Sequence, residues 1–468
     1  MLRITGYSDK YSVCPGDRIK FYVNSEKKES YDVDIVRLIH GDTNPDGPGF
    51  KEKVIKAPCN KSYKGKSQKI HGGSYVCVQP DHRMDTSSFT LQAFIFPTTP
   101  DKGVQGLITK WIEPQQSGFG MFIDENGCLA CWVGNGKGRI AKISSRKPLM
   151  RKVWYLAAVS YDAKTRRVKI VQEPVVTPTN GGLGLSMLHP SSHTTGSVSQ
   201  VVKVKPELNT SPLLIAAATK RINSGRSVKG GHYKEALEEF PLPEQDCVYN
   251  GKIDRPRFSN KALDKHEIYT LARGFETSPA DLRASVVAAW DFHANISDNI
   301  ASCQIIDVSH NKLNGFIINL PVRGMTGYNW TSDDIVYHHV PHEYGAIHFH
   351  DDDIDDARWE ESFSYEIPKN LKSGIYGARL RIGGKESPET EDYVPFFVRP
   401  PLGKATAKVC FIVPTNSYLA YSNDNLATNS VVAELLAGRV PIMQASDLYL
   451  NEHREYGLST YSCHSDGS

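Results

Sequence analysis

The sequence predicts a multidomain, mostly β protein that ends in the start of an α/β domain. Three observations carry that prediction. Short stretches alternating apolar and polar residues recur between Gly, Asn, Asp and Pro punctuation up to about residue 400. Those within 1–70 and within 285–402 are each too few to close a sandwich alone, whereas 71–275 has enough of them. Beyond 402 the pattern changes to a continuous apolar run, Ala407 to Val413. The expected organisation is a split β-sandwich made of 1–70 and 285–402, a second sandwich over 71–275 inserted between its halves, and an incomplete α/β domain over 403–468. A length of 468 residues suits about three domains.

In chain order, Asp17 to Asn24 alternates polar and apolar side chains after the Pro15-Gly16 turn, and Tyr31 to His40 does the same. Six stretches in the insert read as short antiparallel strands: Ser88–Phe96, Gln105–Trp111, Gly118–Ile123, Cys128–Val133, Trp154–Tyr161 and Arg167–Gln172. From Gln172 to Glu239 the chain is rich in Gly, Ser, Thr and Lys and reads as a long decorated loop around one further strand, Ser211–Ala218. In the third segment the expected strands are Ala288–Phe292, Phe363–Ile367, Gly374–Ile382 and Tyr393–Val398. The unbroken run Ala407–Val413 has the character of a strand buried on both faces of a parallel sheet, and Ser430–Gly438 fits a short helix ending at Gly.

Composition narrows the function. Lys+Arg 55 against Asp+Glu 52 leaves a net charge of +3, too small over this length for the positive field that nucleic acid or an anionic membrane requires. No stretch approaches the roughly 18 apolar residues of a membrane helix, and Met1 to Pro15 lacks a signal-peptide core. A cytoplasmic location is therefore expected, and the nine scattered cysteines, mostly in apolar strand-like segments, read as buried thiols rather than disulfides.

Loops leaving the carboxyl ends of strands in open α/β sheets form ligand crevices. That directs attention to Pro414–Tyr421 and to Glu455–Gly467, which between them carry Tyr418, Tyr421, Tyr456 and Tyr461. A phenol supplies either packing area with a polar tip or, deprotonated, a hard oxygen ligand. A second cluster holds His338, His339, His342, Glu343, His348, His350 and Asp351–Asp353, Asp355 and Asp356. It could bind zinc, manganese or calcium, but its spacing matches neither a helical zinc site nor an EF-hand, and it reads as a solvated strand-and-loop edge. Cys128 and Cys131 would face opposite sides of a strand. Gly134–Gly138 reads as a hairpin turn, and the five basic residues within Arg221–Lys234 as a solvated loop.

Resemblances extend this reading. The strings FTLQAFIF, QGLITKW, GFGMFIDENGCLACWVG and WYLAAVSYD, closing with Tyr249–Leu263, resemble a laminin-G or concanavalin-A-like sandwich. The whole chain resembles the large (β) subunit of the N,N-dimethylformamidase family through YSVCPGDRIKFYVNSE, YDVDIVRLIHGD, AIHFHDDDIDDARWE, SGIYGARLRIGG, DYVPFFVRPP, FIVPTNSYLAYSNDN and EYGLSTYSCHSDGS. That resemblance implies a C-terminally truncated chain whose last domain is glutamine-amidotransferase-like. It implies an amide hydrolase that splits a small formamide into formate and amine at a mononuclear Fe(III), working with a small partner subunit in a homo- or hetero-oligomer. The iron would be held by Tyr421 (alternative Tyr418), by Tyr461 (alternative Tyr456) and by a glutamate beyond residue 468. Three hard anionic oxygens suit a ferric ion. His464 or Asp466 would orient water or relay a proton, unless they only build a Ser-Asp-Gly turn. The rival expectation is a non-catalytic β-rich binding or assembly protein, taking carbohydrate or a partner subunit.

Overall fold

A computed structural model describes residues 3–42, 44–175, 182–183, 186–187, 195–228, 233–236, 239–299, 301–383, 390–424 and 445–468. The chain divides into two compact units, Met1–Ile70 with Ala357–Ser462 and His71–Asp356 with Cys463–Ser468.

In the first unit, strands distant in sequence share one core. Ile4–Ser8, Arg18–Ser25 and Phe363–Glu366 form one antiparallel sheet, with Ile19 opposite Tyr365. A second sheet runs Ser12–Val13, Glu391–Val398, Gly374–Ile382, Tyr31–His40 and Lys51–Ile55, with Ile35 opposite Ala378. Alternation explains the layering. Along Arg18–Ser25 the inward Ile19, Phe21 and Val23 are buried, since successive side chains of a strand point to opposite faces. They meet Ile35, Leu380 and Phe396 in one cluster, where Phe21 stacks on Phe363 at 4.8 Å. Each such side chain removed from water contributes about 1.5–3 kcal/mol.

The second unit is a larger antiparallel assembly whose strands link into a nearly closed barrel. One face runs Gly196–Val201, Arg167–Pro174, Tyr155–Asp162, Phe89–Pro97, Gly251–Ser259, Ala346–Phe349 and Val322–Met325. The other centres on Gln105–Ile112, Ser117–Ile123, Cys128–Asn135 and Ile140–Pro148. Leu91, Ile108, Met121, Cys131, Val159 and Ile253 are among the core residues from both faces. Helix Lys265–Arg273 starts with a reciprocal cap: Asp264 accepts from the Glu267 N–H, and Glu267 accepts from the Asp264 N–H, each at 2.9 Å. Its Ile268, Leu271 and Ala272 pack on a second cluster around Trp154.

The six strands expected in the insert are present, each within a residue or two of its expected ends. Four expectations require correction. Residues 285–402 do not act together: Val286–Asp291, Gln304–Asp307, Gly315–Ile318, Val322–Met325 and Ala346–Phe349 belong to the second unit, and the first unit resumes at Ala357. Strands carry no local mark of which sheet will receive them, so a sequence boundary at a helical interlude misplaced them. The stretch 172–239 is no single loop, because Gly196–Val201 and Ala218–Val228 are strands and the basic residues of the latter stand on a sheet. Lys220 and Arg221 there approach Glu244 at 3.3 and 3.6 Å.

The third correction concerns Ala407–Val413, which is neither a strand nor buried: Val409, Phe411 and Ile412 are 84%, 73% and 84% exposed. An apolar run becomes an interior strand only where strands flank it to take its hydrogen bonds, and none pairs with it among the described residues. A groove of about 490 Å³ lies between this segment and Gly374, Phe397 and Pro400. Fourth, the cysteines all stand free, but Cys410 and Cys463 are exposed thiols rather than core ones. Ser430–Gly438 lies outside the described residues.

Candidate functional site

The candidate residues gather at two places, one in each unit. In the first, helix Thr415–Ala420 ends at Tyr421. The Thr460 N–H and hydroxyl both donate to the Ala420 carbonyl, at 3.1 and 3.0 Å, and the Asn423 side-chain amide donates to the Tyr456 and Gly457 carbonyls at 3.1 and 3.2 Å. These bonds lace the two tyrosine-bearing segments together across some forty positions of sequence. They bring the Tyr421 and Tyr461 rings to 4.6 Å. The Tyr461 hydroxyl hydrogen-bonds Tyr421 and, with burial negligible, pushes its phenol above the ordinary value.

The alternatives are placed differently. Tyr456 shares a 3.2 Å hydroxyl contact with Tyr449, and Tyr418 stands half exposed on the helix. Two phenolic oxygens that already converge are a donor set that fits a hard trivalent cation. Asp424 is the carboxylate whose charge reaches Tyr421.

The second place lies in the second unit, where the last six residues pack against the end of strand Ala346–Phe349. His348 and His350, two apart, project from the same face. His348 Nε2 lies 3.1 Å from Asp466 Oδ2, and His350 Nε2 lies 3.0 Å from the Ser468 hydroxyl, which donates to Asp466 at 2.7 Å. On its other side His350 Nδ1 meets Asp353 at 3.2 Å, a carboxylate that also accepts the Ser74 hydroxyl at 2.6 Å. His464 Nδ1 contacts Asp352 at 2.7 Å, and its ring stacks on that of His350 at 3.8 Å.

Charge follows from these contacts. Burial pushes the Asp466 carboxyl up, but the hydrogen bonds from His348 and Ser468 prevail and hold it well below the usual range. Burial lowers the His348 imidazole against the pull of Asp466, whereas the bond to Asp352 raises His464 against burial. At neutral pH the arrangement is an anionic Asp466 beside a neutral His348.

This corrects the solvated-edge reading of the His and Asp run. His338, His339 and His342 are exposed, and His339 pairs with Asp334 at 2.8 Å. His348, His350 and Asp353 are instead buried. Sequence periodicity offered one signal, the i, i+2 imidazoles. Their partner in the 463–468 segment lies more than a hundred positions away and left no local trace. Cys128 and Cys131 are both buried, with burial raising each thiol.

Fold and sites together define a multidomain β protein, of which residues 71–172 match the model of the concanavalin A-like lectin/glucanases superfamily. Residues 322–468 match the model described as N,N-dimethylformamidase beta subunit-like, C-terminal. The chain is 36% identical over 474 residues to the N,N-dimethylformamidase beta subunit of Paracoccus aminophilus, and 36% identical over 471 residues to that of Alcaligenes sp. Each alignment covers 100% of this chain and 58% of the relative, so the chain spans somewhat over half the length of the curated relatives it matches. Over its whole length it is similar to N,N-dimethylformamidase beta subunits. Among solved structures, the SAP-like pentraxin of Limulus polyphemus is 14% identical over 52% of this chain and 82% of its own, with a TM-score of 0.26.

Proposed function

We propose that the chain is the large subunit of a dimethylformamidase-type amidohydrolase, and that it takes a small amide to a carboxylate and an amine at a mononuclear iron. The reading rests on similarity over the full chain to N,N-dimethylformamidase beta subunits, together with one observation of geometry: Tyr421 and Tyr461, from separate segments, hydrogen-bond to each other. These two phenols would hold the metal. A ferric ion bound there supplies Lewis acidity toward an amide carbonyl or a water, the two poor reactants of amide hydrolysis.

The chain's own residues set the conditions. The Thr460 and Asn423 bonds fix the distance between the two phenol-bearing segments, so little ordering is left for the binding event. Tyr421 must release a proton held by Tyr461, which makes metal uptake more favourable as pH rises. Hydrolysis itself adds water across the C–N bond: oxygen joins the acyl carbon, and the amine leaves with a proton. The amidotransferase-like character of the last segment, a small partner subunit and a cytoplasmic location complete the proposal by family resemblance.

The test is iron content and a tyrosinate-to-iron charge-transfer band in the protein extended to the length of its relatives, with formamide hydrolysis assayed in parallel. Iron and the band should both depend on Tyr421 and Tyr461. Colourless, iron-free protein that keeps full amidase activity would overturn the iron reading. Glycan or partner binding without hydrolysis would favour the non-catalytic alternative.

A further inference from the structure

We propose that His348, His350 and Asp466 form a second metal site, in the sandwich unit, for one divalent ion of the zinc class. One ligand atom from each of the three residues lies within 4.8 Å of the others. Bonds of about 2.0–2.1 Å at tetrahedral angles put neighbouring ligand atoms roughly 3.3 Å apart. His348 Nε2 and Asp466 Oδ2, at 3.1 Å, are already at nearly that spacing. Two imidazole nitrogens and a carboxylate are a borderline donor set that favours zinc and its first-row neighbours over calcium or magnesium.

The surroundings are those of a built site. His348 and His350 sit on and beside a strand paired on both sides, His348 opposite Lys252 and Val322, which holds their rings in place. Their side chains are 7% and 2% exposed, and that of Asp466 is fully covered. Asp353 takes the Nδ1 proton of His350 while being anchored by Ser74. This leaves Nε2, 3.0 Å from the Ser468 hydroxyl, as the nitrogen that would ligate a metal in place of that contact. A carboxylate that orients a histidine through its far nitrogen is the usual support of a metal-bound imidazole. The overlapping set of His350, Asp353 and His464 would instead make Asp353 a ligand and so remove the carboxylate that supports His350.

Three imidazole rings, with centroids 4.1 and 3.8 Å apart, are gathered around a covered carboxylate, so a cation would exchange hydrogen bonds for metal bonds with little rearrangement. The bound ion would join the 463–468 segment to the sandwich. This site shares no residue with the tyrosine pair, so either proposal can fail alone.

The experiment uses the full chain carrying Tyr421→Phe and Tyr461→Phe, stripped with chelator and titrated with zinc chloride by calorimetry. Cobalt(II) chloride serves as a visible-absorption probe. One zinc per chain is expected, with at least tenfold weaker binding in Asp466→Asn and in His350→Gln. Asp353→Asn should weaken binding 10–100-fold. Asp466 lies outside the sheet, so its variant tests the site even where His350→Gln does not fold, as circular dichroism would report. No zinc heat and no cobalt band in the folded protein, or affinity unchanged in Asp466→Asn, would overturn the site.

Discussion

Tyr421 and Tyr461 are 55% and 53% exposed, so their rings carry little of the packing energy of the first unit. Replacing either by Phe should therefore leave the melting temperature unchanged within the scatter of a surface substitution, about 0.5 kcal/mol, while abolishing the tyrosinate band; a variant that melts early would instead assign the pair to the fold. Asp254 offers a second test. Burial pushes its carboxyl up to about 6, against Arg255, and its Oδ2 has no hydrogen-bond partner. Because the folded value exceeds the unfolded one, the neutral acid is the form favoured by folding. Its contribution is fully present below about pH 4 and is lost as pH rises through about 6. Urea unfolding of the second unit should show a stability decline between pH 4 and 7 that Asp254→Asn flattens, by about 1.4 kcal/mol per pH unit of difference between the two states. An identical slope in the variant would refute the assignment.

Single elements were legible wherever one face is buried. Gly374–Ile382 shows a side-chain period of two and was foreseen to the residue, because alternation is written within the strand itself. The helix Lys265–Arg273 has its start signal at Asp264 and Glu267. Removing the cap with Asp264→Ala should cost about 1 kcal/mol, in the range typical of N-caps, measured as a fall in the melting temperature of the second unit. Local pattern misleads where it depends on neighbours. Ala407–Val413 reads as an interior strand but stands in the open, so Ile412→Ser should leave stability of this chain nearly unchanged, whereas Ile35→Ser, in the core of the first unit, should cost several kcal/mol. Equal losses from the two substitutions would show that the apolar run is covered.

For the molecule as a whole, the split of the first unit makes a direct prediction. Phe363–Glu366 pairs with Arg18–Ser25, and Gly374–Ile382 with Tyr31–His40. Deleting residues 3–70 should therefore strip proteolytic protection from 357–402 and leave the strands of 71–356 resistant; protection of both would mean that the second half closes alone. That 1–70 needs a distant complement was legible as a shortage of strands, while the place where the complement begins was not. The sandwich within the insert, the tyrosine-bearing segments and the family resemblance could be read from sequence, since each rests on short-range alternation or on contiguous strings. Assigning Val286–Asp291 to the second unit, pairing Tyr421 with Tyr461 and burying His348 beside Asp466 were decisions of the tertiary structure. The physical reason is common to all three: periodicity is set by the geometry of one backbone segment, but partners from about 15 to more than 100 positions apart are chosen by the path of the chain, which no local window contains.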